Sequence, residues 1–243
     1  MSASCYFVGC VNLGYDGVLG LAPPWGSRSN ANMPNLLSIL LKQNLLDSPM
    51  FSLKLPSYQR EEGELLLGGS GDILNESDFL TLPVINETSD KRYKDSWTVS
   101  ASHISFGTPN PLEISLSSTG YAVLDIAVPY IILPSELARN ITAAIGAVQG
   151  PAWFYNIPCE RRQELPTLTI TMGTHNFSIT AFDYILETEG VFTPPGEKLC
   201  LPAFMPADEF LFPSHWKGAV LGHPFMRGFS SKWDFGNREI GCR

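Results

Sequence analysis

A nearly continuous apolar segment, residues 121–133, dominates the pattern of hydrophobic and polar positions, and one carboxylate, Asp125, lies inside it. A run of this kind predicts buried strand. The segment behind it predicts an amphipathic helix, with Ser135 placed as its N-cap. The apolar positions at helical spacing are Leu137, Ile141, Ala144 and Ile145. Since a buried carboxylate needs a partner, Asp125 is either a structural hydrogen-bonding residue or a functional one.

Short apolar segments between turn residues predict strands through most of the remaining chain. A further helix is predicted over residues 34–43, where leucines form one face. The predicted strands cover residues 50–55, 63–69, 97–106 and 165–173. The 21 Gly and 19 Pro in 243 residues supply many turns, which is typical of many short strands. The sequence therefore predicts an all-β fold with a few short helices.

Composition and charge exclude several classes of partner. The chain is 44% hydrophobic, enough for a full core, and its formal net charge of −8 argues against a nucleic acid as the main partner. No run approaches the roughly 18 apolar residues that a transmembrane helix needs. There is no Cys-x-x-Cys, and the four His are scattered, so we expect no metal site and no cofactor.

Glycosylation sequons and cysteines favour a secretory compartment. The sequons begin at Asn75, Asn86, Asn140 and Asn176, and the chain has five Cys. The first residues lack the basic head and apolar core of a signal peptide. We therefore expect that the natural N-terminus is missing from this sequence. The states of Cys5, Cys10 and Cys242 are left open.

Several motifs occur in the order found in pepsin-like aspartic peptidases. Asp16-Gly-Val-Leu-Gly-Leu-Ala22 resembles a turn and strand late in that family's first lobe, where Asp16 is a turn residue. Residues 50–55 and 63–69 resemble its linking strands. Residues 218–227 resemble its Ile-Leu-Gly-Asp-x-Phe-Leu-Arg segment, with His223 as a loop residue in place of the Asp. Residues 229–241 resemble its closing hairpin. A generic hairpin explains each piece by itself but not their order.

The resemblance implies a pepsin-like fold with a complete C-terminal lobe and a partial N-terminal lobe. The partial lobe and the connection between lobes would occupy residues 1–95, and the C-terminal lobe residues 96–243. The family joins the positions of Cys159 and Cys200 by a disulfide, so the same bond is expected here. The resemblance also implies secretion or a vacuolar location, and a peptide or protein as substrate or ligand.

Asp125 corresponds to the family's second catalytic Asp. The three residues after it, Ile126, Ala127 and Val128, replace the family's Thr/Ser-Gly-Thr/Ser. Gly222 is expected to pass close under this loop. The first catalytic Asp loop and the flap with its Tyr have no counterpart in the sequence. Because hydrolysis in this family uses two carboxylates that share a proton, we expect a degenerate active site without hydrolytic activity.

Three interpretations of function follow from these observations. The first is a truncated or degenerate homologue of an aspartic-type endopeptidase, without hydrolytic activity. The second is a fragment of an active secreted aspartic endopeptidase whose N-terminal half is missing. The third is a non-catalytic module that binds peptides or proteins; a β-rich module unrelated to the family fits the composition but not the ordered motifs. Oligomeric state and substrate preference are left open.

Overall fold

The computed structural model describes residues 19–23, 25, 36–56, 62–69, 78–85, 93, 96–117, 119–150, 154–189, 194, 196–210, 212–213 and 216–243. The turn predicted at Asp16, the sequons at Asn75 and Asn86, and the cysteines Cys5 and Cys10 lie outside these residues. The described part is mostly strand with a few short helices, which confirms the predicted fold class. It contains no helix that is long and apolar enough to cross a membrane.

Each predicted segment contains one of the elements, but residues 121–133, predicted as buried strand, form two strands separated by the turn that follows Asp125. The strands are β1 (Met50–Lys54), β2 (Glu64–Leu67), β3 (Leu80–Pro83), β4 (Thr98–Phe106), β5 (Leu112–Ser115), β6 (Tyr121–Leu124), β7 (Ile131–Leu133), β8 (Val148–Gln149), β9 (Tyr155–Asn156), β10 (Leu168–Met172), β11 (His175–Ile179), β12 (Ile185–Glu189), β13 (Lys198–Pro202), β14 (Phe204–Pro206), β15 (Gly218–Leu221), β16 (Ser230–Asp234) and β17 (Glu239–Cys242). The helices are α1 (Leu36–Lys42), α2 (Ser135–Ala144), α3 (Ala181–Tyr184) and α4 (His223–Met226), with 3-10 helices at Cys159–Glu164 and Ala207–Phe210.

A five-stranded sheet joins the early strands to the C-terminal hairpin, in the order β2-β1-β16-β17-β3. Strand β1 lies antiparallel to β16, so that Phe51 pairs with Trp233. The two rings stack 5.6 Å apart, and Trp97 meets both edge-on. Since segments from both sides of residue 95 share this sheet and its aromatic core, the division at 95/96 stays a prediction.

The second large sheet follows the order β11-β10-β4-β6-β15-β7-β14, with β5 on β4. The strands at the centre of this sheet position the loop that carries Asp125. Strand β15 lies parallel to β6, with Leu221 opposite Leu124, and antiparallel to β7, with Leu221 opposite Ile131. Strand β15 is therefore inserted between two strands that follow each other in the chain, and the loop that joins those two strands carries Asp125.

Helix α2 covers the sheet beside β14 and buries Leu137, Ala138 and Ile141. The prediction that Ser135 caps this helix is wrong. The N-cap is Pro134, which makes no side-chain hydrogen bond. The Ser135 hydroxyl instead accepts the Asp208 N–H at 3.0 Å. It ties the helix to a segment distant in sequence, which a local capping pattern cannot show.

The disulfide expected between Cys159 and Cys200 is confirmed, with the two Cα atoms 5.3 Å apart. Cys242 is a free, fully buried thiol, and this burial raises its pKa to about 12. Asn140 on α2 and Asn176 on β11 are exposed. Their glycosylation stays a prediction.

Candidate functional site

Asp125 lies directly after β6, at the start of the loop that leads to β7. Its backbone N–H donates to the Leu221 carbonyl at 3.1 Å, and the Leu124 N–H donates to the Trp97 carbonyl at 2.8 Å. All four residues of β6 are buried. Two strands, one on each side, therefore fix the backbone on which the carboxylate stands.

The Asp125 carboxylate accepts the Ala127 N–H at 3.1 Å. The Val128 N–H donates to the Asp125 carbonyl at 3.0 Å and closes the turn. Burial raises the pKa of Asp125, and the Ala127 donor partly offsets this rise. Among the described residues, no charged side chain contributes to the shift. Within the described part of the chain, the group thus behaves as a desolvated carboxyl, and no second carboxylate there contributes to its titration.

Gly222 sits under this loop, at the end of β15. A Cβ added there would lie 2.1 Å from the Val128 carbonyl oxygen and 2.2 Å from that of Tyr130. The Gly222 N–H donates to Tyr130 at 3.1 Å, and the His223 N–H donates to Val128 at 2.9 Å. Its φ of −78° is ordinary. The close approach of two backbone segments, rather than an unusual φ, therefore requires glycine here.

The three residues after Asp125 point to different surroundings. Ile126 packs against the main core, and Ala127 is exposed. Val128 packs with Tyr130 against a second apolar cluster, on the face of the sheet that includes Val123 and Val220. None of the three carries a side-chain hydroxyl, so none can donate a side-chain hydrogen bond to the carboxylate.

His223 is the first residue of α4 and not a loop residue, so the prediction of a loop was wrong. The β15 strand ends at Leu221 and the chain turns at once into a short helix with Pro224 in its first turn. Burial lowers the pKa of His223, the positive charge of Arg227 lowers it further, and a hydrogen bond to the Val128 backbone partly offsets both. Burial beside the Asp125 loop therefore favours the neutral form of the imidazole.

Sequence reasoning missed Tyr130 as a member of this site. Its carbonyl accepts from Gly222, its ring lies 6.2 Å from that of Phe210, and burial raises the pKa of its phenol. The sequence signal that could have identified Tyr130 was its position directly before β7 in the apolar segment. His103 lies half-exposed on β4, where its Nε2 is 3.2 Å from a Glu113 carboxylate oxygen.

The fold is that of a pepsin-like aspartic protease. The chain superposes on the crystal structure of an aspartic proteinase from Irpex lacteus with a TM-score of 0.72, over 94% of this chain and 68% of that one. The sequence identity is 18%, so this likeness shows the fold alone. The family model for eukaryotic aspartyl protease matches residues 4–243. The chain belongs to that family.

The matches to curated relatives cover nearly all of this chain but only about half of each relative's length. A vacuolar aspartic protease of Candida albicans is 33% identical over 231 residues, which is 93% of this chain and 49% of that protein. Vacuolar protease A of Aspergillus fumigatus is 34% identical, over 93% of this chain and 52% of its own. Human napsin-A is 30% identical, over 94% and 51%. The chain thus spans about half the length of the relatives it matches.

Proposed function

We propose that this chain is a catalytically inactive homologue of aspartic-type endopeptidases that binds a peptide or protein segment beside Asp125. The observation that supports the proposal is the state of the carboxyl. It accepts the Ala127 N–H, burial raises its pKa, and no charged group among the described residues contributes to that shift. This environment suits a hydrogen-bonding carboxyl better than half of an acid–base pair.

Peptide hydrolysis by this family's chemistry needs two carboxylates around one water. One removes the proton of the water while the other, protonated, polarises the carbonyl. Asp125 can perform one of these tasks at a time. With Ile126, Ala127 and Val128 behind it, the loop also lacks the side-chain hydroxyls that would hydrogen-bond near the carboxylate. Binding requires less, because a protonated or ionised Asp125 can donate to or accept from a peptide backbone.

The relatives and the exposed sequons support a proposal for the cellular compartment. Two of the relatives are named as vacuolar proteases. The exposed Asn140 and Asn176 are accessible to glycosylation. We place the chain in the secretory or vacuolar pathway on these grounds.

A second candidate function is favoured by the length of the relatives. Since the chain spans about half of them, it would be one portion of an active endopeptidase whose other portion supplies the second Asp. Sequencing of the transcript upstream of Met1 separates the two candidates. An open frame encoding Asp-Thr-Gly and a flap would favour the active enzyme.

An acid proteolysis assay tests the proposal. A denatured protein substrate is incubated with the chain at acidic pH, with and without a transition-state inhibitor of aspartic peptidases, beside an active pepsin-like enzyme. We expect no inhibitor-sensitive cleavage, and Asp125→Asn should change nothing. Asp47→Asn, at an exposed position, is the matched control. Cleavage that Asp125→Asn abolishes and Asp47→Asn retains would refute the inactive assignment.

Binding is measured separately by calorimetry with the same inhibitor as the probe. We expect heat of binding for the wild type that weakens in Asp125→Asn and is unchanged in Asp47→Asn. No binding by a folded wild-type chain would refute the binding role and leave the lack of hydrolysis standing.

A further inference from the structure

Arg162 is buried against the Cys159–Cys200 disulfide. It lies in the same 3-10 helix as Cys159, and its side chain is 9% exposed. Its Nη2 lies 2.8 Å from the Cys200 Sγ. A guanidinium is always charged, and burying one costs free energy unless anionic partners surround it. A disulfide sulfur carries no charge and is a weak acceptor.

The surrounding charges leave Arg162 under-compensated. Its Nη1 donates to Glu187 Oε2 at 3.0 Å, but the other oxygen of Glu187 pairs with the Lys198 Nζ at 2.6 Å. The buried Nε of Arg162 has no hydrogen-bond partner among the residues that the structure describes. Among the described residues, Arg162 and Lys198 thus share one carboxylate, that of Glu187. A further negative charge beside Arg162 would complete the site.

We propose that Cys159–Cys200 is a thiol–disulfide exchange site for dithiol reductants, with Cys200 as the leaving thiolate. Reduction would create the missing anion at the Cys200 Sγ, where the guanidinium already points. Electrostatic stabilisation of the thiolate favours the reduced form and makes the bond more oxidising. This inference is independent of the proposed peptide-binding role.

The exchange has a direction because the two cysteine residues differ in exposure. Cys200 is fully buried, whereas Cys159 is partly exposed. A thiolate of the dithiol attacks the Cys159 Sγ, a mixed disulfide forms, and the bond electrons leave on Cys200 as thiolate. The second thiol of the reductant then loses its proton. The resulting thiolate attacks the other sulfur of the same reductant molecule, which is bonded to the Cys159 Sγ in the mixed disulfide. Cys159 leaves as the second thiolate, and the dithiol is oxidised to a disulfide by two electrons.

The residues around the two sulfurs also argue against a metal site. Cys159, Cys200 and Glu187 form a three-residue cluster of possible metal ligands in the part of the chain that the structure describes. Both sulfurs are bonded to each other, and both cations contact the carboxylate. A metal ion would have to compete with Arg162 and Lys198, so the site favours a thiolate over a cation.

The test equilibrates the full chain with defined ratios of reduced and oxidised dithiothreitol. The samples are quenched with acid and alkylated, and peptide mass spectrometry reads Cys159 and Cys200 separately from the other cysteines. We expect Arg162→Met to lower the equilibrium constant for reduction by about tenfold, which corresponds to about 30 mV for a two-electron couple. Lys198→Met, at an exposed position where the cation contacts Glu187, should lower it by less because solvent screens an exposed charge.

The direction of the change separates electrostatics from loosened packing. A variant that merely destabilises the fold makes the disulfide easier to reduce, whereas loss of the cation makes reduction harder. Easier or unchanged reduction in Arg162→Met therefore overturns the proposal. If Arg162→Met does not fold, Lys198→Met is measured instead. Easier or unchanged reduction in that variant likewise overturns the proposal. Glutathione should form its mixed disulfide on Cys159, and a mixed disulfide on Cys200 would also contradict the mechanism.

Discussion

Replacing Gly222 by alanine tests whether the Asp125 loop lies directly on the end of β15. The added Cβ would stand 2.1 Å from the Val128 oxygen and 2.2 Å from the Tyr130 oxygen, and real Cβ atoms essentially never approach within 3.0 Å. Both obstacles are backbone atoms, so no side-chain rotation relieves them. The loop must move away from β15, or β15 from the loop.

The expected cost combines two effects. Forcing an extra carbon into a packed site costs about 1–3 kcal/mol. Movement of the loop weakens the hydrogen bonds from Gly222 N to Tyr130 O and from His223 N to Val128 O, each of which contributes about 1 kcal/mol. We expect the free energy of unfolding to fall by about 3 kcal/mol. For a chain of this size the melting temperature should fall by about 10 °C.

Urea unfolding followed by tryptophan fluorescence measures this change. Gly20→Ala is the matched control, because a Cβ at that position meets no atom of a described residue within 4 Å. The slope of free energy against denaturant should be the same in both variants, since the exposed area on unfolding is unchanged. A Gly222→Ala variant that matches Gly20→Ala within about 0.5 kcal/mol, the usual range for surface substitutions, would show that the loop does not contact β15.

Three further predictions concern charge and buried hydrogen bonds. Because the folded pKa of Asp125 is raised above 3.8, its neutral form favours the fold below that value, and this contribution is lost as the pH rises through the folded pKa. Asp125→Asn should therefore gain stability relative to the wild type as pH rises, which denaturation at several pH values measures. Trp216→Phe removes the 2.9 Å bond from its Nε1 to the Tyr121 hydroxyl and should cost about 1–2 kcal/mol; a double-mutant cycle with Tyr121→Phe checks the coupling. Arg139 lowers the pKa of Asp208, so the stability from this pair is present above the ordinary aspartate pKa and is lost as the pH falls through the lowered one. Arg139→Met should cost at most about 1 kcal/mol at neutral pH, since both groups are exposed, and nothing in strong acid; equal cost at both pH values would contradict this.

Local pattern predicted the elements well where one periodicity dominated. The leucine face over residues 34–43 became α1 (Leu36–Lys42), and the segment 50–55 became β1 (Met50–Lys54). The pairing of Cys159 with Cys200 was available through the family resemblance, because connectivity cannot be read from cysteine spacing. The resemblance also marked Asp125, whereas burial and charge by themselves left it open between a structural and a functional role.

Local pattern failed where a side chain found a distant partner. Ser135 had the residue type and position of an N-cap, yet its hydroxyl accepts from Asp208, 73 residues away. His223 was expected in a loop, and the turn of β15 into α4 placed it in a helix. Arg162 carried no sequence signal, because its importance comes from a sulfur 38 residues away.

The sequence by itself determined the all-β class, the apolar segment that forms β6 and β7, and the absence of side-chain hydroxyls at residues 126–128. These properties depend on residue type and on spacing over a few positions, which periodicity records directly. The tertiary structure decided that β15 enters between β6 and β7, that the Ser135 hydroxyl accepts from Asp208, and that a buried cation faces Cys200. Each of these depends on register between segments far apart in the chain, and register is set by packing of the whole sheet.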